Sequence, residues 1–71
     1  MLSDVKIDGE KVRTARERAF FSKSELADRA GLNRNTIGRI EEVRATEVYP
    51  RTIRKIAEAL AVDPASLTPE G

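Results

Sequence analysis

The side chains best suited to recognition chemistry are Arg34, Asn35 and Arg39, which stand close together. A guanidinium group can donate two hydrogen bonds to the edge of guanine, and a carboxamide can form a similar pair of bonds with adenine. The intervening Thr36 could contact a phosphate or the methyl group of thymine. The alternatives are ordinary solvated charge for the arginines and helix capping for Asn35. Carried on one helix, these residue types could read nucleic-acid bases.

Two short helices joined at Gly31 are expected to position these side chains. Ser22 is followed three residues later by glutamate, which is the spacing of a capping box at the start of a helix. Gly31 can end that helix in a left-handed backbone conformation, and Asn33 is a good N-cap for the next. Ile37 and Ile40 give the second helix an apolar face, so its polar residues point elsewhere.

The composition excludes several classes of protein. A length of 71 residues indicates one domain, close to the smallest size at which a hydrophobic core is stable without a disulfide or a structural metal. The sequence has no Cys and no His, which removes disulfides, the usual zinc ligands and the usual general base. No apolar run approaches membrane length, and no signal-peptide pattern is visible. We therefore expect a cytoplasmic protein that is not an enzyme and needs no metal or cofactor.

The net charge of +1 is weak support for a nucleic-acid partner. On charge alone, solvated helix faces are the favoured interpretation. The motif spacing is the stronger argument. Ala27, Gly31, Ile37 and Ile40 have a spacing that resembles the helix-turn-helix signature of the phage-repressor-like family, also called lambda-repressor-like or xenobiotic-response-element type. In that family a small residue lets the two helices touch, glycine makes the turn, and two apolar residues anchor the recognition helix.

The resemblance extends over nearly the whole chain and implies an all-α fold. We expect a compact bundle of about five short helices with the helix-turn-helix at its centre. The domain is expected at residues 8–67, between an N-terminal arm at 1–7 and a C-terminal tail at 68–71. The arm could be loose, or it could form a brief strand that pairs with a partner chain. The recognition helix is expected over about 33–44 and could run on as far as Ala45.

The resemblance also assigns roles outside the recognition helix. It implies a largely buried ion pair between Arg16 and Glu41, which would fix the recognition helix against the first helix. It places Lys23 on a DNA phosphate, although the family commonly has glutamine there. The side chains expected on the DNA backbone are Lys23, Thr36, Arg44 and Arg51.

Phe20 and Gly38 are two further residues that are unusual at their positions. Phe20 stands where the family often has glycine, so the neighbouring Phe21 is expected to be buried and Phe20 to be exposed or covered by another subunit. Gly38 lies inside the recognition helix, where glycine costs about 0.5–1 kcal/mol relative to alanine. Either the helix passes close to DNA at Gly38, or a small residue is merely tolerated there. Both interpretations stay open at this point.

The resemblance implies a transcription regulator that binds double-stranded DNA sequence-specifically. Because members of this family are most often repressors, a repressor is expected. A homodimer on an inverted repeat is expected, with half-sites about 34–36 Å apart. One alternative is an antitoxin or accessory factor whose main role is to bind a partner protein. The other is a protein-interaction module that has lost DNA binding.

Overall fold

The computed structural model describes residues 4–70, and most of these residues are helical. The elements are β1 (Val5–Ile7), α1 (Gly9–Arg18), α2 (Lys23–Ala30), α3 (Arg34–Glu42), β2 (Thr46–Val48), α4 (Pro50–Leu60) and a 3-10 helix (Pro64–Leu67). The expected all-α bundle of about five helices is therefore corrected to four α-helices, one 3-10 helix and a small sheet within this part of the chain. None of the helices seen between residues 4 and 70 is long and apolar enough to cross a membrane.

The sheet contains the residues that the sequence analysis assigned to an arm. β1 and β2 pair antiparallel, with Val5 opposite Val48 and Ile7 opposite Thr46. Ile7 has no exposed surface and belongs to the core. The arm interpretation is therefore wrong for residues 5–7: this segment is a strand, and its partner strand comes from the same chain. The remainder of the expected arm, residues 1–3, lies outside the described residues.

The same pairing limits the length of α3. The helix ends at Glu42, and Val43 already has extended backbone angles of φ −119° and ψ 150°. The expected continuation to residue 44 or Ala45 is therefore wrong. Thr46 to Val48 instead satisfy their backbone groups in the ladder with β1, a long-range alternative that helical periodicity does not reveal.

Side-chain caps begin α1, α2 and α3, whereas α4 begins with Pro50 and has no side-chain cap. The Ser22 hydroxyl accepts a hydrogen bond from the Glu25 amide, and the Asn33 side chain accepts one from the Asn35 amide. Asp8 caps α1 in the same way. Gly31 ends α2 with a left-handed φ of 69°, which confirms the predicted turn.

The turn between α1 and α2 also contains a left-handed residue, and that residue is Phe20. Its φ is 61°, and 92% of its surface is exposed. A left-handed backbone is costly for a side chain of this size. Phe21 packs against the core instead, with the Arg29 guanidinium 4.6 Å from its ring centroid. Phe20 is exposed as predicted, whereas Phe21, which was predicted to be buried, is only partly buried.

One core joins all the helices to β1. Its buried hydrophobic members are Ile7, Val12, Leu26, Ala27, Ala30, Ile37, Ile40, Ile53, Ile56, Ala57, Leu60 and Leu67. α4 supplies a third of this set, namely Ile53, Ile56, Ala57 and Leu60, whose helical spacing places them on one apolar face of the helix. The core thus fixes α3 from its inner face and leaves its opposite face at the surface.

Among the glycines of residues 4–70, Gly9, the first residue of α1, makes the closest approach to another backbone segment. A β-carbon placed on Gly9 would overlap the carbonyl oxygens of Ile40 and Val43, and would lie 3.0 Å from the α-carbon of Glu41. These are backbone atoms at the end of α3, which cannot rotate away as a side chain can. Gly9 therefore lets α1 begin directly against the end of α3.

We predict that Gly9→Ala lowers the free energy of unfolding by about 1–3 kcal/mol or more, because the added methyl group overpacks a backbone contact. Urea denaturation followed by circular dichroism measures this. Thr14→Ala on the exposed side of α1 is the control and should stay within about 0.5 kcal/mol of wild type. Equal stability of the Gly9 variant and wild type would contradict the close approach.

Candidate nucleic-acid interface

α3 is held so that its polar face is open. Ile37 and Ile40 are buried on its inner side, while Arg34, Asn35 and Arg39 are exposed. The turn from Gly31 to Asn33 separates α3 from α2, and the Leu32 amide donates to the Ala27 carbonyl at 2.8 Å to close it. The arrangement is the pair of helices that the sequence motif indicated.

An open concavity lies along this face, which we call the α3 concavity. It is lined by Lys23, Asn33, Arg34, Asn35, Thr36, Gly38, Arg39 and Glu42. The three base-reading candidates are therefore brought together, and two of the four backbone candidates, Lys23 and Thr36, border them. The two helices place on one surface side chains that are up to nineteen positions apart in the sequence, from Lys23 to Glu42.

Two of the predicted backbone residues lie elsewhere. Arg44 is exposed in the segment between α3 and β2. Arg51 is exposed near the start of α4, where its guanidinium lies 5.5 Å from the ring centroid of Tyr49. Neither lines the α3 concavity. They flank the loop after α3, and their contact with a DNA backbone stays a prediction.

Glu42 is a lining residue that the sequence analysis did not select. It contributes a negative charge at the end of α3 that faces the same concavity as the arginines. Helical spacing could have located it, because Glu42 lies three residues after Arg39 and four after Gly38. Its charge opposes close contact with phosphate and offers an acceptor, the group that pairs with the cytosine amino group.

A buried ion pair connects α3 to α1. The Arg16 Nε donates to Glu41 at 2.7 Å, and a second guanidinium nitrogen donates to the other carboxylate oxygen at 3.1 Å. The Arg16 side chain is 11% exposed and the Glu41 side chain 3%. Hydrogen bonding to Glu41 raises the pKa of the Arg16 guanidinium, against the lowering effect of burial. The ion pair therefore favours the charged form of Arg16.

The third nitrogen of the Arg16 guanidinium also forms a hydrogen bond. This nitrogen donates to the Phe21 carbonyl oxygen at 2.8 Å. One side chain thus links α1, the turn before α2 and the end of α3. No side-chain nitrogen or oxygen buried in the described part of the chain lacks a hydrogen-bond partner, so the charges of this cluster are fully satisfied.

Comparison with known proteins finds a matching family model and several similar solved structures. A family model described as a helix-turn-helix domain matches residues 9–69. The restriction-modification controller protein C.AhdI from Aeromonas hydrophila is a similar solved structure, with a TM-score of 0.75 and 31% identity over 82% of this chain and 86% of that chain. The biofilm regulator SinR of Bacillus subtilis, solved in complex with DNA, matches with a TM-score of 0.76 and 26% identity over 80% of this chain and 90% of that chain.

A longer protein is similar over one segment. A hydroxyethylphosphonate dioxygenase matches with a TM-score of 0.75 and 27% identity over 87% of this chain. The chain spans only 13% of that enzyme's length. A comparison with the sequences of curated proteins found no match.

We predict that Arg16→Met lowers the free energy of unfolding by about 3–5 kcal/mol, because it leaves the buried Glu41 carboxylate unpaired. The double variant Arg16→Met with Glu41→Leu should recover part of this loss, because both charges are then removed. Urea denaturation of the single and double variants gives the coupling.

The control for this cycle is the exposed ion pair on α1, Arg13 with Glu17, whose side chains are 63% and 56% exposed. Arg13→Met should change stability by less than about 1 kcal/mol. Equal losses from the Arg13 and Arg16 variants would show that burial of the Arg16 pair has no energetic weight.

Proposed function

Because the chain belongs to the helix-turn-helix domain family, we propose that it is a sequence-specific, double-stranded DNA-binding transcription regulator that reads the major groove with α3. The observation that carries this proposal is the α3 concavity, which gathers the predicted base-reading residues on the exposed face of the second helix of the motif. Its support among relatives comes from a controller protein and from a regulator solved with DNA, both matched over most of their length. The dioxygenase activity is not carried over, since so little of that enzyme is matched.

The proposed reading begins at the N-terminal end of α3. Recognition helices of this class place their N-terminal residues on base edges in the major groove. Arg34 and Asn35 occupy the first two positions of α3, and Arg39 follows more than one turn later. We assign Arg34 to guanine, Asn35 to adenine, and Arg39 to a guanine or to a phosphate beside it.

Contacts with the sugar-phosphate backbone set the register and carry no sequence information. Lys23 is the first residue of α2, where the free backbone amides also favour an anion. Thr36 lines the same α3 concavity as Lys23. Arg44 and Arg51 supply two further cations on either side of β2, within reach of a neighbouring stretch of backbone in this proposal.

A single domain of this size buries little DNA surface, and the net charge of +1 gives weak general attraction. We therefore propose a homodimer on an inverted repeat, acting as a repressor in the cytoplasm.

The low net charge, together with Glu42 inside the α3 concavity, favours one second candidate: an antitoxin or accessory factor whose main role is to bind a partner protein. Selection of a DNA site distinguishes the two.

The test is a selection from random duplex DNA with the purified protein at near-physiological salt. Enrichment of an inverted repeat with half-sites about 34–36 Å apart supports the dimeric regulator. Enrichment of a single half-site supports sequence reading and contradicts the dimer. If folded protein enriches no sequence, the regulator proposal fails and the partner-protein role is preferred.

We predict that Arg34→Ala weakens binding to the enriched site by about 1–3 kcal/mol and relaxes the preference at one base position, because a bidentate contact is lost. Fluorescence anisotropy on the enriched and a scrambled duplex measures both effects. Arg18→Ala is the matched control: it removes the same charge from the groove between α1 and the 3-10 helix. Equal losses on both duplexes would overturn base reading by Arg34.

We predict that Lys23→Ala weakens binding to the enriched and scrambled duplexes alike, because a phosphate contact is independent of sequence. The slope of log K against log salt should become shallower by about one. A salt titration of anisotropy measures the slope, again with Arg18→Ala for comparison. An unchanged slope, or a loss confined to the enriched site, would remove Lys23 from the backbone contacts.

A further inference from the structure

Gly38 has no evident function within the isolated chain. It lies inside α3, and a β-carbon placed on it would meet no described atom within 4 Å, apart from its own helix and immediate neighbours. Its φ is not in the left-handed range, so alanine could adopt the same backbone. Glycine nevertheless weakens a helix relative to alanine, because it has more backbone freedom to lose on folding.

Two other glycines show the contrast. Gly9 is required by the close backbone of α3, and Gly31 is favoured by its left-handed φ of 69°, a conformation that costs glycine least. Each has a cause that lies inside the folded chain. Gly38 has open space around it and an ordinary helical backbone. A residue with a side chain, such as alanine, would therefore make the folded chain more stable. No contact within the described part of the chain accounts for glycine at this position, which leaves a contact with a binding partner as the candidate cause.

The position of Gly38 indicates what lies outside. Gly38 lines the α3 concavity together with Arg34 and Arg39. It follows Arg34 by four residues and Asn35 by three, so it shares their face of the helix. Side chains that contact base edges on either side of Gly38 would bring the helix backbone itself toward the groove floor between them.

We propose that the missing side chain of Gly38 is a specificity-determining feature, which lets the backbone of α3 approach base edges in the major groove. This inference rests on the DNA-binding function proposed above. A β-carbon at position 38 would hold α3 away from the bases, and the long side chains of Arg34 and Asn35 would lose the geometry of their paired hydrogen bonds. Nonspecific contacts with phosphates need no such approach.

The experiment compares Gly38→Ala and Gly38→Leu with wild type. The DNA probes are the duplex that wild type enriches from a random library and a scrambled duplex of equal length. Alanine and leucine have similar helix propensity and differ in size, so a graded effect reports steric exclusion rather than helix flexibility. Thr14→Ala is the control for a gain in propensity on an exposed helix face far from the α3 concavity.

The expected result separates stability from binding. Gly38→Ala should raise the melting temperature by about 4–8 °C, yet raise the Kd for the enriched duplex roughly tenfold, with a larger loss for Gly38→Leu. The Kd for scrambled DNA should change by less than about threefold. Thr14→Ala should leave both Kd values unchanged.

Several outcomes would overturn the inference. These are unchanged affinity of both variants for the enriched duplex, equal losses on both duplexes, or a fall in melting temperature for Gly38→Ala. If wild type enriches no duplex, the proposed function has failed and this inference fails with it. That result is distinct from a wild-type protein that selects a site and variants that bind it equally well.

Discussion

The orientation of α3 depends on the guanidinium group of Arg16. Its nitrogens are divided between the two carboxylate oxygens of Glu41 and the carbonyl oxygen of Phe21. These partners lie at the end of α3 and in the turn before α2, so one planar group sets the distance between three segments. A shift of α3 along α1 would leave a nearly buried carboxylate without its cation, which is costly. Apolar packing at the same place would tolerate sliding more easily.

The two ends of α3 are restrained by different means. At its start, the Asn33 cap and the turn at Gly31 fix the entry of the chain. At its end, Gly9 allows the first turn of α1 to lie directly against the backbone of residues 40–43. Between these ends only the outer face remains open. A helix restrained in this way presents its side chains with little loss of conformational entropy on binding, which benefits any partner that contacts them.

Local chemistry made part of this structure predictable. The capping interactions of Ser22, Asn33 and Gly31 involve backbone groups only a few residues away. The spacing of these residues in the sequence therefore indicated where helices begin and end. The strand at Ile7 was not predictable in the same way, because two alternating residues acquire meaning only when a partner strand some forty positions later lies beside them. The two-helix pattern predicted which residues share the exposed face of α3, and the helical spacing of Glu42 from Gly38 and Arg39 could have added it to that set. The left-handed Phe20 shows a family turn retained without the glycine that suits it.

The pairing of β1 with β2 means that the self-sufficient folding unit begins before the first helix. A fragment trimmed to start at Gly9 would lose Asp8, which caps α1, and would leave a void where Ile7 fills the core. It would also turn β2 into a lone strand with unpaired backbone groups, the kind of edge that invites chain-to-chain association. Transplanting the recognition motif onto another scaffold would therefore require carrying this short leading strand with it.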